Sequence, residues 1–475
     1  MAGTGGHRLR VGPACRPERA AGSVNRACAP PRGWETAQVE DVRGARWPRG
    51  ILPSAPGSRT TRLELFYDLV FVFAFLNVTT VTANNPTPRG LVQLLVVLAL
   101  LWWCWSGFAA LGNVVRTDQG FAPLVGFVVS AAVFVLALSL PKAFVDRPGG
   151  LPGPVVFAVC YFLVRATQVT VFLWAVRSDR EVRRRMPVLA LPFLLATGLI
   201  LTAALVPQRL LDGRAEMMLR LVLWLAALGV EYGSGLAQHR AGWTVLSAGH
   251  WAERHALIIM VALGESIIAL GIGPGPTPAL PLTWPVIIAA LLGIAVVAAL
   301  WWAYFDTLAL AMEQVLHRTR ERRTRAGLAR DVYTYLHLPL ITGVILFALG
   351  LKGLIHEGAD PTTPSWGVPL PGFDMLALFG GVALYLLTLI LLGSRMLGAA
   401  RWPSICGVLL LVALTPVAGQ LPELVALAML AVAAVLTVAV QTVVDAPRRR
   451  RVRQVALEEQ LASEAEQTRW RGHHL

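Results

Sequence analysis

The stretch His250–Gly271, HWAERHALIIMVALGESIIALG, decides how the chain is read. Glu253, Arg254 and His255 open an apolar run, and Glu265 stands alone among aliphatic residues eleven positions beyond Arg254. At a rise of about 1.5 Å per residue, a helix puts that carboxylate about 16 Å from Arg254, near the middle of a bilayer core roughly 30 Å thick. A lone acid at that depth costs about 2.5–3.5 kcal/mol on insertion scales, so it faces protein or water and not lipid.

The rest of the chain has the same character. Of 475 residues 55% are hydrophobic and 15% charged, where a soluble domain carries about a quarter charged residues. The reading is an all-α, polytopic integral membrane helical bundle set in the lipid bilayer, with no sizeable soluble domain. Twelve apolar runs are expected: Leu63–Thr82, Leu91–Gly112, Phe121–Leu140, Pro154–Val176, Pro187–Val206, Met217–Ala237, His255–Gly271, Leu282–Ala303, Val332–Leu351, Phe373–Gly393, Ile405–Gly419 and Pro422–Val444. Residues 1–60, rich in Arg, Gly and Pro without an apolar segment, read as a disordered cytoplasmic tail. Residues 61–445 form the membrane domain, and 446–475 a basic, helical cytoplasmic tail.

The net charge of +14 is carried almost wholly by Arg. These arginines cluster between apolar runs, which is the pattern that sets topology and not one that binds nucleic acid. Arg177–Arg185 follow the fourth run, Arg318–Arg330 the eighth and Arg448–Arg451 the twelfth, whereas the connection after the ninth carries only Lys352. Both termini are therefore expected in the cytoplasm, with Arg209 and Arg214 as exceptions to the bias. The five cysteines and nine histidines are scattered, so neither a disulfide framework nor a metal centre is indicated. No phosphate loop, nucleophile elbow or dinucleotide fingerprint occurs, and no cofactor is expected.

An internal repeat is legible. Ala99–Trp105 (ALLWWCW) in the second run answers Ala298–Tyr304 (AALWWAY) in the eighth, Pro123 answers Pro339, and Glu64 can be laid over Glu253. Two six-helix halves in the same orientation are expected, related by an axis along the membrane normal.

Two longer motifs carry a family resemblance. Arg62–Ala74 (RLELFYDLVFVFA), and Glu253–Ile259 (ERHALII) followed by Leu263–Ile268 (LGESII), resemble the two signatures of the bacterial low temperature requirement A family. The likeness covers about Thr61 to Val444. It implies an integral membrane protein connected with growth in the cold, and it brings no assigned reaction. Glu64, Asp68, Arg254, Gly264, Glu265 and Ser266 occupy motif positions.

The candidate polar site inside the membrane comprises Glu64, Asp68, Arg165, Glu231, Arg254, Glu265 and Ser266. Glu64 and Asp68 are four apart, so both carboxylates leave one helix face. Arg254 and Glu265 share a face but lie too far apart to touch, and each needs a partner elsewhere. Arg165, eleven residues past Pro154, reaches mid-membrane from the other side, and an Arg165·Glu265 pair is expected. Ala262, Ser266, Ala269 and Gly273 form a small-residue stripe suited to close helix packing. Asp306 is expected at the solvated interface and His337 as a hydrogen-bonded packing residue. The function these features suggest is a carrier or channel for a small solute or ion. A membrane enzyme acting on lipid and a non-catalytic membrane factor stand as alternatives.

Overall fold

The computed structural model describes residues 58–84, 86–144, 149–175, 180–237, 245–271, 283–358, 364, 366–398 and 401–474. The expected N-terminal tail to residue 57, the start of the basic loop at 176–179 and the Gly-Pro turn at 272–281 lie outside them. So does Gly273 of the small-residue stripe. Among the described residues every named element is a helix.

Twelve helices take up the twelve apolar runs. They are α1 (Arg62–Ala83), α2 (Pro88–Val114), α3 (Ala122–Ser139), α4 (Gly153–Ala175), α5 (Arg180–Leu205), α6 (Gly213–Ala237), α7 (Ala248–Gly271), α8 (Trp284–Phe305), α9 (His337–Gly358), α10 (Gly372–Leu397), α11 (Trp402–Ala418) and α12 (Glu423–Val444). A further helix, α13 (Ala446–His474), follows α12. Among the described residues ten helices are long and apolar enough to cross a bilayer; α11, and the apolar part of α5 at Ala190–Leu205, are shorter. The start of α1 is fixed locally. Thr61 Oγ1 accepts from the Glu64 N–H while Glu64 Oε2 accepts from the Thr61 N–H, a capping box at the helix N-terminus.

Two boundaries differ from expectation for a physical reason. Helix α7 begins at Ala248 and not His255, because His250 and Arg254 are buried against partners on α1 and need no water. Helix α9 runs past Leu351, so Lys352 lies inside it, buried, and is not a loop residue. The segment before α9 is also no simple loop. Leu308–Arg318 and Arg322–Leu328 are short helices, and Ala329–Leu336 is a π-helical turn leading into α9. Pro339 lacks an N–H to return to the preceding turn, and the Trp102 indole donates to the Thr334 carbonyl at 2.7 Å.

The packing repeats. In each half the first helix packs on the second and third, the second on the fourth and sixth, and the third, fourth, fifth and sixth pack in succession. The paired tryptophans take part in the same way. Trp103 on α2 donates to Glu231 on α6, and Trp302 on α8 donates to Thr442 on α12. Glycines set the closest approach, where Gly343 and Gly350 of α9 meet Gly381 and Leu378 of α10 with no room for a Cβ.

The halves meet where α1 packs on α7. Glu64 contacts His250, Asp68 contacts Arg254 and Thr79 contacts Glu265, and every pair is separated by 186 residues. A constant offset means the two helices run parallel and in register. Parallel helices need an odd number of crossings between them, which the five helices α2–α6 supply. This register makes a prediction. Phe75→Cys and Val261→Cys share the offset and the face, and should form a disulfide on mild oxidation of a variant otherwise free of cysteine. Phe75→Cys with Ile268→Cys, displaced by two turns or about 10 Å, should not; the opposite pattern would contradict parallel packing.

A candidate site at the interface of the two halves

Three polar tiers lie along α1 and α7. At the first, Glu64 and His250 are both buried, with Nε2 3.0 Å from Oε1. The Asn113 amide fixes the imidazole. Its Oδ1 accepts from the Leu246 N–H at 2.8 Å and its Nδ2 donates to Ser247 O at 2.7 Å. That amide N–H₂ faces His250 Nδ1, so Nδ1 accepts and Nε2 donates to Glu64. Gly112 on α2 makes room, since a Cβ there would overlap the Glu64 carboxylate.

The second tier is Asp68 and Arg254, joined at 2.7 Å with both side chains removed from solvent. Asp68 Oδ1 also accepts from the Trp105 indole at 2.8 Å, and the Trp105 ring lies 5.4 Å from the guanidinium carbon. Arg254 Nη1 donates a second time, to the Glu64 carbonyl at 2.9 Å. Its Nε and Nη2 have no hydrogen-bond partner in the protein.

The third tier is Glu265. Its Oε1 accepts from Lys352 Nζ at 2.9 Å and from the Thr79 hydroxyl at 2.6 Å. Lys352 donates in turn to Thr79 at 2.7 Å and Thr80 at 3.0 Å. Glu265 Oε2 and the neighbouring Ser266 hydroxyl are buried without a partner in the protein. Along α1 the step from Glu64 to Thr79 spans about 22 Å at the helical rise, most of a bilayer core.

Arg165 and Glu231 form a separate centre among α2, α4 and α6. Arg165 Nε and Nη2 donate to the two Glu231 oxygens at 3.1 and 3.0 Å, a bidentate pair. Tyr161 and Trp103 donate to the same carboxylate at 2.8 and 2.7 Å. Arg165 Nη1 donates to Gln168 Oε1, whose amide nitrogen reaches the Cys104 carbonyl. Every donor nitrogen of Arg165 and both oxygens of Glu231 are occupied.

The expected Arg165·Glu265 pair therefore does not form. Arg165 is taken by Glu231 on α6, and Glu265 by Lys352, which the charge pattern assigned to a loop. Asp306 also departs from expectation. Its side chain is mostly buried and bound by Arg449 and Arg453 of α13. His337 packs as expected, with Nδ1 on the Val332 carbonyl and Nε2 facing the Tyr304 hydroxyl. Sequence reasoning did not find His250, Lys352, Thr79 or the indole donors. The usable signals were Leu354 and Ile355 beyond Lys352, which continue the apolar pattern, and the WWCW cluster itself. Buried indoles need acceptors, and Trp102, Trp103 and Trp105 find them on α9's leading turn, α6 and α1. Among the described residues no three His, Cys, Asp or Glu groups gather as a metal-binding set.

The two centres differ in completeness, and that difference can be measured. Arg165→Met or Glu231→Leu alone should lower stability by about 3–5 kcal/mol, because each leaves a buried charge unpaired. The double variant should recover most of that loss in a thermal melt of the detergent-solubilised protein.

A family model described as Bacterial low temperature requirement A protein (LtrA) matches residues 59–440. An uncharacterized protein of Rhizobium meliloti (strain 1021) is 28% identical over 301 residues, covering 60% of this chain and 67% of that one. No solved structure matches the chain. The match takes in α1 and α7 with all three polar tiers, and the chain belongs to the bacterial low temperature requirement A family.

Proposed function

We propose that the chain is a multi-pass carrier of the bacterial plasma membrane, with both termini cytoplasmic, for a small solute or ion. The route follows the α1/α7 interface between the two halves. The observation that carries this reading is the unfinished pairing of buried charge. Arg254 keeps two nitrogens unsatisfied and Glu265 one oxygen, both wholly buried. Unmet buried donors and acceptors cost about 1–3 kcal/mol each, more when charged, and a purely structural pair gains nothing by leaving them. Carriers built from repeats place their sites where the repeats meet, near the bilayer midplane.

Glu265, joined to Lys352, is positioned to exchange a proton as cargo passes. A second reading, a membrane factor with no cargo, draws on the Arg165·Glu231 centre, where every donor and acceptor is met. Such a factor would tolerate loss of any single unmet group at α1/α7. A lipid-directed enzyme draws on no comparable feature.

The test compares a deletion strain with strains restored by the wild type or by Glu265→Gln, measuring solute partition between cells and medium by mass spectrometry. The wild type is expected to restore the distribution of a small set of solutes, and Glu265→Gln to fail at equal abundance in the membrane. An unchanged solute profile on deletion, or full restoration by Glu265→Gln, would overturn the reading.

A further inference from the structure

The free edge of Arg254 narrows the cargo. A guanidinium offers five N–H bonds, and its Nε–H and one Nη2–H point the same way as a two-pronged fork. Arg254 spends Nη1 on Asp68 and the Glu64 carbonyl, while Nε and Nη2 have no partner in the protein. The vacant edge is therefore the one that matches an oxyanion in two parallel hydrogen bonds. Arg165 provides the internal contrast, because it uses that same edge on the Glu231 carboxylate. Two further buried hydroxyls have no partner in the protein, that of Tyr67, one residue before Asp68, and that of Ser106, one residue after Trp105. The surrounding rings are apolar, with Tyr67 stacked on Phe108 at 4.0 Å.

Charge balance supplies the second half. Asp68 and Arg254 neutralise each other, so an added monoanion leaves one uncompensated negative charge in a buried site, which is strongly unfavourable. A proton taken up by the Asp68 carboxylate removes that charge and frees the guanidinium for the incoming anion. Besides Arg254, the charged and titratable groups on the helices around Asp68 are Arg62, Glu64 and Tyr67 on α1, His250, Glu253, His255 and Glu265 on α7, Arg89 and Cys104 on α2, and, as far as Ile355, His337 and Lys352 on α9. Helix α3, also packed on α1, carries none. Of these, Asp68 alone shares a hydrogen bond with the free-edged arginine through its side chain. A dianion would need a second proton or cation, so the site suits a single carboxylate.

We infer that Arg254 binds a small monocarboxylate through its Nε/Nη2 edge, and that one proton on Asp68 travels with it. This rests on the carrier reading and names its cargo class. The experiment titrates the full-length protein in detergent with formate, acetate, lactate and pyruvate, following tryptophan fluorescence and thermal stability at neutral and acidic pH. Saturable binding of at least one is expected, tighter at the lower pH because a proton is bound with the anion. Arg254→Lys should weaken it about tenfold or more, since a point charge cannot supply the fork. Asp68→Asn keeps one acceptor oxygen and turns the other into a donor, as protonation of the carboxylate does, and should bind with the pH dependence gone.

Absence of binding by all four acids to the folded wild type would overturn the inference. So would unchanged affinity in Arg254→Lys, or an unchanged pH dependence in Asp68→Asn. Uptake of labelled pyruvate into proteoliposomes separates the two readings. Binding without uptake would sink the carrier and leave the anion site standing. Restoration of solute partition for cations alone, without carboxylate binding, would do the reverse.

Discussion

Arg254 has no contact with solvent, and a guanidinium cannot shed its proton to relieve that burial. It must be held by a carboxylate, and Asp68 is the one that reaches it. This requirement places α1 beside α7, and the 186-residue offset shared by all three tiers keeps the two helices parallel. Parallel first helices are what two repeated halves in the same orientation demand. The same pairings of helices then recur on either side of the α1/α7 contact.

Helix α2 ties this interface to the rest of the first half. Its three indoles donate to three different elements, and the Ala99 and Cys104 carbonyls accept from Tyr232 and Gln168. Two of its glycines admit polar groups that a Cβ would block: Gly107 takes the ends of Gln168 and Arg165, and Gly112 the Glu64 carboxylate. The two arginines that result differ in kind. Arg165 is saturated by hydrogen bonds and acts as a rigid joint, whereas Arg254 is held by one nitrogen and keeps its binding edge open.

Much of the fold was legible in the sequence because hydrophobic runs of membrane length need no tertiary information to be recognised. The WW pairs signalled the repeat, and the isolated charges marked which helices carry buried polar groups. What stayed hidden was pairing, since helical spacing gives the face and height of a side chain but not its neighbour in space. Helical spacing assigned Arg165 and Glu265 a similar depth, yet they belong to different clusters, and Lys352 was counted with the loops although Leu354 and Ile355 continue its helix. The early start of α7 was hidden for the same cause. His250 and Arg254 look like a charged flank until Glu64 and Asp68 are seen opposite them.

If Asp68 and Arg254 were only glue, a matched apolar pair would serve as well, because such replacements are often neutral or stabilising. The most direct measurement is the double substitution Asp68→Leu with Arg254→Met, assayed for melting temperature and for restoration of solute partition in a deletion strain. A working centre at this interface predicts a folded protein, no less stable than the wild type, that restores nothing. A folded double variant with full restoration would contradict it.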